Sequence, residues 1–390
     1  MIKIVSFFAI WLSATFAPIP LANLATNTQT NTVQAEKEAD KVPKIQVALL
    51  LDTSGSMDGL LEQAKSQIWK MVNEFATAKL DGKSPDIEIA LYEYGKDDYS
   101  AASGHLKQIL ALTTDLDLVS EKLFELKTNG GSEYCGWVIQ DAVENLKWSK
   151  SNEDLKVIII AGNEPFTQGP RDYKVTCKQS ITNGIVVNTI FCGNCDEGVR
   201  TNWKDGADRA DGKYMCIDHN SAVVHVETPF DKDIVELNNK LNTTYIAYGR
   251  KGEEKKMRQS KQDENAGAYS QANVAERALS KSSKAYKNED WDAVDAFKDE
   301  ENQKDLKTMK EEELPEEMKG MSADERVAFV EGKAKERETI QAEIRELSEK
   351  REKFIVEARK NSANTTKNTL DEVMLEAVRK QAEKKNFKFK

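Results

Sequence analysis

The sequence predicts an α/β fold, a Rossmann-like and mostly parallel sheet with helices on both faces, on three observations. Short apolar runs alternate with amphipathic helical stretches from Lys44 onward, the runs are apolar at successive positions, and an oxygen-rich polar loop follows the first run directly. Strands buried on both faces lose the apolar–polar alternation of half-exposed ones, and strict strand–helix order winds into a parallel sheet. Ligands of such sheets bind at the carboxyl ends of the strands. With 390 residues of which 39% are apolar, the chain can fill a core, which excludes a wholly disordered protein. Its net charge is −10, and the surplus sits in front: residues 1–250 hold 25 basic and 34 acidic side chains, residues 251–390 hold 31 and 32. That balance gives no counterion-release drive toward nucleic acid and disfavours an anionic membrane surface.

The elements follow in order. Ile45 to Leu51 is a strand bounded by charge and a turn, and Gly59 to Lys79 puts Leu60, Leu61, Ala64, Ile68, Met71, Val72 and Phe75 at helical spacing. Ile87 to Tyr94 and Leu106 to Leu112 are strands, and Asp117 to Leu126 is a helix with Asp117 suited to its first turn. Ser132 to Leu146 is helical, Leu155 to Ala161 is the most apolar strand, Asp172 to Thr182 is a helix stopped by Gly184, and Ile185 to Phe191 is again a strand. Residues 198–217 read as an insertion with Trp203, Ala207 and Ala210 on one helical face before a strand from Lys213 to Ile217. Ala222 to Glu227 is a further strand and Asp231 to Tyr248 a helix stopped by Gly249.

Ahead of this domain, Lys3 precedes an apolar run from Ile4 to Ala17, then Pro18, Pro20 and small residues at Ala22 and Ala25. The run has the length of a signal-peptide core rather than a bilayer span, so residues 1–25 predict a cleaved signal and a periplasmic or secreted location, with no stable membrane span after its removal. Residues 26–43 are too polar to order themselves and form a linker.

The sharpest motif follows the first strand: Asp52, Thr53, Ser54, Gly55, Ser56, Met57. One carboxylate and two hydroxyls spaced by two on a Gly-containing loop offer hard oxygen ligands for Mg²⁺, Mn²⁺ or Ca²⁺, while a turn and helix cap is the plainer role of the same residues. At this motif the sequence resembles the von Willebrand factor type A family over roughly Lys44 to Gly249. The resemblance implies a metal-ion-dependent adhesion site in which the D-x-S-x-S loop, a threonine of a second loop and an aspartate after a central strand surround the ion, and a partner protein's carboxylate completes its coordination. Asp52, Ser54 and Ser56 match the first loop. In the second loop Glu133 falls in the threonine slot with Ser132 beside it, and in the third Gly162 occupies the aspartate slot of Ala161, Gly162, Asn163, Glu164, Pro165. Two carboxylates remain if Glu133 replaces the missing aspartate. Glu133 then either binds the metal directly and makes the site structural, or acts through water while Ser132 ligates and a position stays open.

Cys135, Cys177, Cys192, Cys195 and Cys216 are an odd count, so an exported chain carries one or two disulfides and at least one thiol. A structural disulfide within Cys192-x-x-Cys195 is favoured over redox chemistry, because Asp196 and Glu197 oppose a thiolate. Zinc is disfavoured, Cys216 with His219 being the one further ligand pair at compact spacing. His105, His219 and His225 arrange no catalytic triad, His225 reading as a strand residue, and no enzyme is predicted.

Past Arg250 the composition turns polar. Residues 250–322 read as a connector, polar from Gly252 to Ala268 and acidic around Pro315, with a short helical pair packed on the main domain within Asn273 to Phe297. Residues 323–390 read as a helical or coiled-coil-like tail. Ala323 to Lys360 is one long helix with Ile340, Ile344, Leu347, Phe354 and Ala358 on a stripe that Arg351 interrupts, and Leu370 to Ala382 is a second, joined across Asn361 to Lys367. The tail is either a solvated appendage or a docking surface. Two functions stand: a metal-linked protein-binding module of unknown partner, or an assembly protein whose metal loop only stabilises the fold and whose tail carries association.

Overall fold

The computed structural model describes residues 42–218, 226–361 and 370–389. The predicted signal, nearly all of the linker, the strand from Ala222, His219, His225 and the turn joining the last two helices lie outside the described residues.

Six strands form one sheet: β1 (Lys44–Asp52), β2 (Asp86–Tyr94), β3 (Leu106–Thr113), β4 (Leu155–Gly162), β5 (Val186–Cys192) and β6 (Tyr214–Ile217). Their order is β3-β2-β1-β4-β5-β6, parallel throughout except for β3, which runs antiparallel to β2. The helices of the first half are α1 (Asp58–Thr77), α2 (Leu116–Glu125), α3 (Cys135–Asn145), α4 (Tyr173–Thr182), α5 (Cys195–Arg200), α6 (Trp203–Arg209) and α7 (Asp231–Asn242). The strand alternation of β1 divides the core in two. Ile45, Val47, Leu49 and Leu51 face the helices α1, α2 and α7, while Ala48 and Leu50 face α3, α4 and the insertion, whose Trp203 and Ala210 are fully buried. The α3 helix begins at Cys135 rather than Ser132, because Ser132 to Tyr134 form the loop that carries Glu133 inward.

The second half departs most from the sequence-based expectation. The supposed polar connector is α8 (Gly252–Tyr269), followed by α9 (Gln271–Lys281), α10 (Ala293–Ala296) and α11 (Glu300–Thr308); the acidic stretch around Pro315 makes two 3₁₀ turns that bury Leu314 and Met318. On α8 the buried residues are Gly252, Gln259, Gln262 and Ala266, with Asp263 close by. The two glutamines are held by hydrogen bonds, Gln262 accepting from Ser120 Oγ (2.8 Å) and Gln259 donating to Tyr286 Oη (3.1 Å), while Ala266 joins the apolar core.

The long helix is α12 (Ala323–Asn361, 39 residues) and the last is α13 (Leu370–Lys384). Arg351 does not interrupt the buried stripe of α12 but belongs to it, donating to Asp231 Oδ1 (2.7 Å) and Glu276 Oε1 (2.5 Å), whereas Phe354 is exposed and Ile355 is buried in its stead. Of the i,i+4 pairs the sequence offers, Glu346–Lys350 closes at 2.7 Å. Met374, Ala377, Val378, Ala382 and Phe387 join the same core as Ile45 and Leu49 of β1, and Gln381 exchanges hydrogen bonds with buried Asn188 of β5 (2.6 and 3.0 Å). Neither a solvated appendage nor a free docking surface describes α13: its apolar face closes one side of the sheet.

The CxxC expectation is corrected too. Cys195 pairs with Cys216, linking α5 to β6, while Cys192 is a buried thiol at the end of β5, as are Cys135 and Cys177 in the helices. Cys192 points into the core beside Met215 and Ile217, away from Cys195 across the turn.

Candidate functional site

Strand order reverses between β1 and β4, so the chains leaving them diverge and open a crevice at the carboxyl edge of the sheet. Asp52 ends β1 there, in register with Tyr94 at the end of β2, and Gly162 ends β4. The first loop folds back on its own carboxylate, the Ser54 N–H donating to Asp52 Oδ1 at 2.7 Å. Ser54 and Ser56 hydroxyls lie 3.5 Å apart, and Asn163 Nδ2 of the third loop donates to Ser56 Oγ at 3.2 Å. The second loop is stitched to the first by backbone bonds, Asn129 N–H to the Thr53 carbonyl (2.8 Å) and Gly55 N–H to the Gly130 carbonyl (3.1 Å). This places Glu133, 2% exposed, with its carboxyl against Asp52 and Ser54. Its Oε2 accepts the Glu164 N–H (3.3 Å) and its own N–H donates to Gln168 Oε1.

Two carboxyl groups are thus buried side by side. Burial pushes the Asp52 carboxyl above the usual range; burial and then the charge of Asp52 push Glu133 up to about 10. Among the described residues neither carboxyl makes an ion pair with a Lys or Arg, and Asp52 Oδ2 is buried without a hydrogen-bond partner. Among the described residues no three His, Cys, Asp or Glu side chains gather as a metal cluster, so a cation here would rest on two carboxylates and the hydroxyls of Ser54 and Ser56. That all-oxygen set fits Mg²⁺, Mn²⁺ or Ca²⁺, and the orphaned oxygen of Asp52 is where it would draw one.

The profile of the von Willebrand factor type A domain matches residues 46–204. This segment is a von Willebrand factor type A domain. A comparison with curated proteins gives no match. Among solved structures, similar ones include an aerotolerance-related membrane protein from Bacteroides fragilis (18% identity, TM-score 0.32, covering 45% of this chain and 92% of that one). BatB from Bacteroides thetaiotaomicron is similar at 17% identity and TM-score 0.34, covering 45% of this chain and 90% of its own. Proximal thread matrix protein 1 from the mussel byssus, with a zinc-occupied MIDAS motif, is similar at 14% identity and TM-score 0.35, covering 45% and 42%. These likenesses concern the fold alone.

Of the residues the sequence nominated, the A-type domain brings Asp52, Ser54 and Glu133 together, with Ser56 exposed at the mouth. Ser132 is half-buried and makes no hydrogen bond to this set among the described residues. Two neighbours were missed. A Cβ at Gly162 would lie 2.5 Å from Tyr94 Oη and 3.1 Å from Asp52 Oδ2, so the tyrosine, which donates to the Ala161 carbonyl (2.9 Å), fills the room an aspartate would need. Gly95, at φ +80°, lets Asp52 and Glu133 meet: a Cβ there would sit 2.8 Å from Asp52 Oδ1 and from Glu133 Cγ alike. Both residues end an ordinary apolar strand, and nothing in that pattern distinguishes them from core and turn positions.

Proposed function

We propose that the chain is an exported, non-catalytic protein-binding module whose strand-end face holds a divalent cation. The carrying observation is the buried Asp52–Glu133 pair with an unpartnered Asp52 oxygen and, among the described residues, no ion pair to a Lys or Arg. Two like charges cannot both ionise in an apolar setting unless a cation joins them. The ion would be held by Asp52, Glu133, Ser54 and Ser56 and would supply electrostatic attraction only. Binding proteins at this face is what the family implies. Export is supported by the apolar run after Lys3 and by the Cys195–Cys216 disulfide, which suits an oxidising compartment. Association through the helical tail is the weaker alternative, because the buried face of α13 is already spent on the sheet.

Melting curves test the cation. Chelated protein given millimolar Mg²⁺, Mn²⁺ or Ca²⁺ should melt higher with at least one of them, by about 2.7 kcal/mol at a hundredfold excess over Kd. Asp52→Ala should abolish the shift. Unchanged melting with all three removes the site.

A further inference from the structure

Glu133 sits at the position that decides how the cation site works. Its neighbours in sequence belong to the surface loop, yet the side chain itself is 2% exposed. Three separate features hold it there. Gln168 of the third loop accepts its N–H, the Glu164 N–H donates to its Oε2 at 3.3 Å, and Gly95 gives up a side chain so that Glu133 Cγ can approach Asp52 Oδ1. None of these arrangements offsets the cost of bringing a second carboxylate against a buried first one, and Asp52 Oδ2 is left buried without a partner. Nor can the charge be moved to the third loop, since Tyr94 Oη and Asp52 occupy the space beside Gly162.

We propose that Glu133 is itself a ligand of the cation and closes its coordination from inside the chain, so that the ion staples the three strand-end loops without a carboxylate from a partner protein. This rests on the cation site proposed above and deepens it. Two carboxylates balance one divalent ion, leaving no net positive charge to recruit an acidic side chain. Partner binding at this face would then depend on the shape of the stapled loops rather than on a bond to the metal.

The test is Mn²⁺ titration calorimetry on the full chain, with Glu133→Gln and Asp52→Asn beside the unaltered protein, each repeated in millimolar acetate. Glu133→Gln should lose about tenfold or more in Mn²⁺ affinity, because hard cations are held largely by carboxylate count. In chelator it should melt no lower than the unaltered protein, because the amide keeps the shape of the side chain and places no charge against Asp52, which separates ligation from folding. Acetate should leave Mn²⁺ binding by the unaltered protein unchanged. Equal affinities of the unaltered protein and Glu133→Gln, with Asp52→Asn inactive, would overturn the role of Glu133 while leaving the cation site standing. Acetate that tightened Mn²⁺ binding by the unaltered protein would reveal an open position and overturn it without recourse to any variant. Absence of binding by all proteins would remove the cation site, and this inference with it.

Discussion

Among the described residues, two inward-facing carboxylate pairs are treated in opposite ways. Asp117 of α2 and Asp263 of α8 surround Arg277 of α9, whose guanidinium donates to Asp117 Oδ1 at 2.7 Å, to Asp263 Oδ1, and to the Gln259 carbonyl at 2.9 Å. Lys281 adds a second cation 3.2 Å from Asp263 Oδ2, and Tyr286 Oη and Asn242 Nδ2 donate to the remaining oxygens at 2.5 and 2.6 Å. The other pair, Asp52 and Glu133, has serine hydroxyls, backbone N–H groups and, among the described residues, no ion pair to a basic side chain. At the first pair the chain supplies its own cations, and the result is a joint between the A-type domain and its C-terminal helices. At the second no such partner is seen among the described residues, and on the reading proposed above the cation comes from solution. A buried acidic cluster is therefore a joint or a site according to whether its counter-charge is encoded in the same chain.

Breaking the joint should have the largest effect. Arg277 is fully buried and lies over Trp69, its Cζ 4.5 Å from the ring centroid. Arg277→Met keeps much of that apolar contact but leaves Asp117 and Asp263 with Lys281 alone. Removal of one member of a buried ion cluster costs about 3–5 kcal/mol, and urea unfolding should show a loss of that size. A loss no greater than that of an average surface substitution would mean that the helices are held by apolar packing and not by this cluster.

The joint should also respond to acid. Burial opposes ionisation of Asp263, but Lys281 and then Arg277 outweigh it and hold the carboxyl well below the usual range. A depressed carboxyl contributes stability that is fully present above its unfolded pKa, near 3.8, and is lost as pH falls toward the folded value. Between about pH 5 and 2 the unaltered protein should lose of order 2 kcal/mol that Asp263→Asn has already lost, so the two stability curves should converge at low pH. Parallel curves would assign acid sensitivity elsewhere.

How much of this was legible in the sequence differs between the same two regions. The described strands, the mostly parallel sheet and the loop after the first strand could be read because apolar runs and Asp52-x-Ser54-x-Ser56 are local signals. The carboxylate at Glu133 and its absence at Gly162 were visible as substitutions, but that Tyr94 fills the space beside Gly162 is a contact between strands. The joint was invisible. Gln259, Gln262 and Asp263 look like a solvated face because their burial depends on Ser120, Tyr286 and Arg277, which lie far away in sequence. Arg351 misled for the same reason, its partners Asp231 and Glu276 being supplied by other helices. Residue-by-residue polarity reports burial only where the counter-charge is local.

A sharper contrast comes from trying to restore the ordinary site. Gly162→Asp would put a carboxylate where the family usually has one, yet its Cβ would fall 2.5 Å from Tyr94 Oη, a buried group bonded to the Ala161 carbonyl. Overpacking of this kind costs about 1–3 kcal/mol, so thermal melting should drop even with metal present. The double change Glu133→Thr with Gly162→Asp should fail to recover metal affinity, since the strand end has no room for the replacement. Full recovery in calorimetry would show that Tyr94 moves aside and that the second carboxylate is free to change loops.

The smallest effect is expected at Ser132. It lies one residue from Glu133 and was the alternative ligand on sequence grounds, since a hydroxyl beside the second loop's glycines resembles the usual threonine. The loop geometry assigns the inward direction to Glu133, whose backbone N–H and carboxylate are both fixed by the third loop, at Gln168 and Glu164. Ser132 beside it is half-buried and makes no hydrogen bond to Asp52, Ser54 or Glu133 among the described residues. Ser132→Ala should then change stability by no more than about 0.5 kcal/mol and leave Mn²⁺ affinity within error, whereas Ser54→Ala, at a buried hydroxyl against both carboxyls, should weaken it. If the two substitutions weakened Mn²⁺ binding equally, the second loop would have to turn over when the ion binds. Glu133 and Ser132 would then exchange places, and the two carboxylates would no longer be forced together in the occupied state.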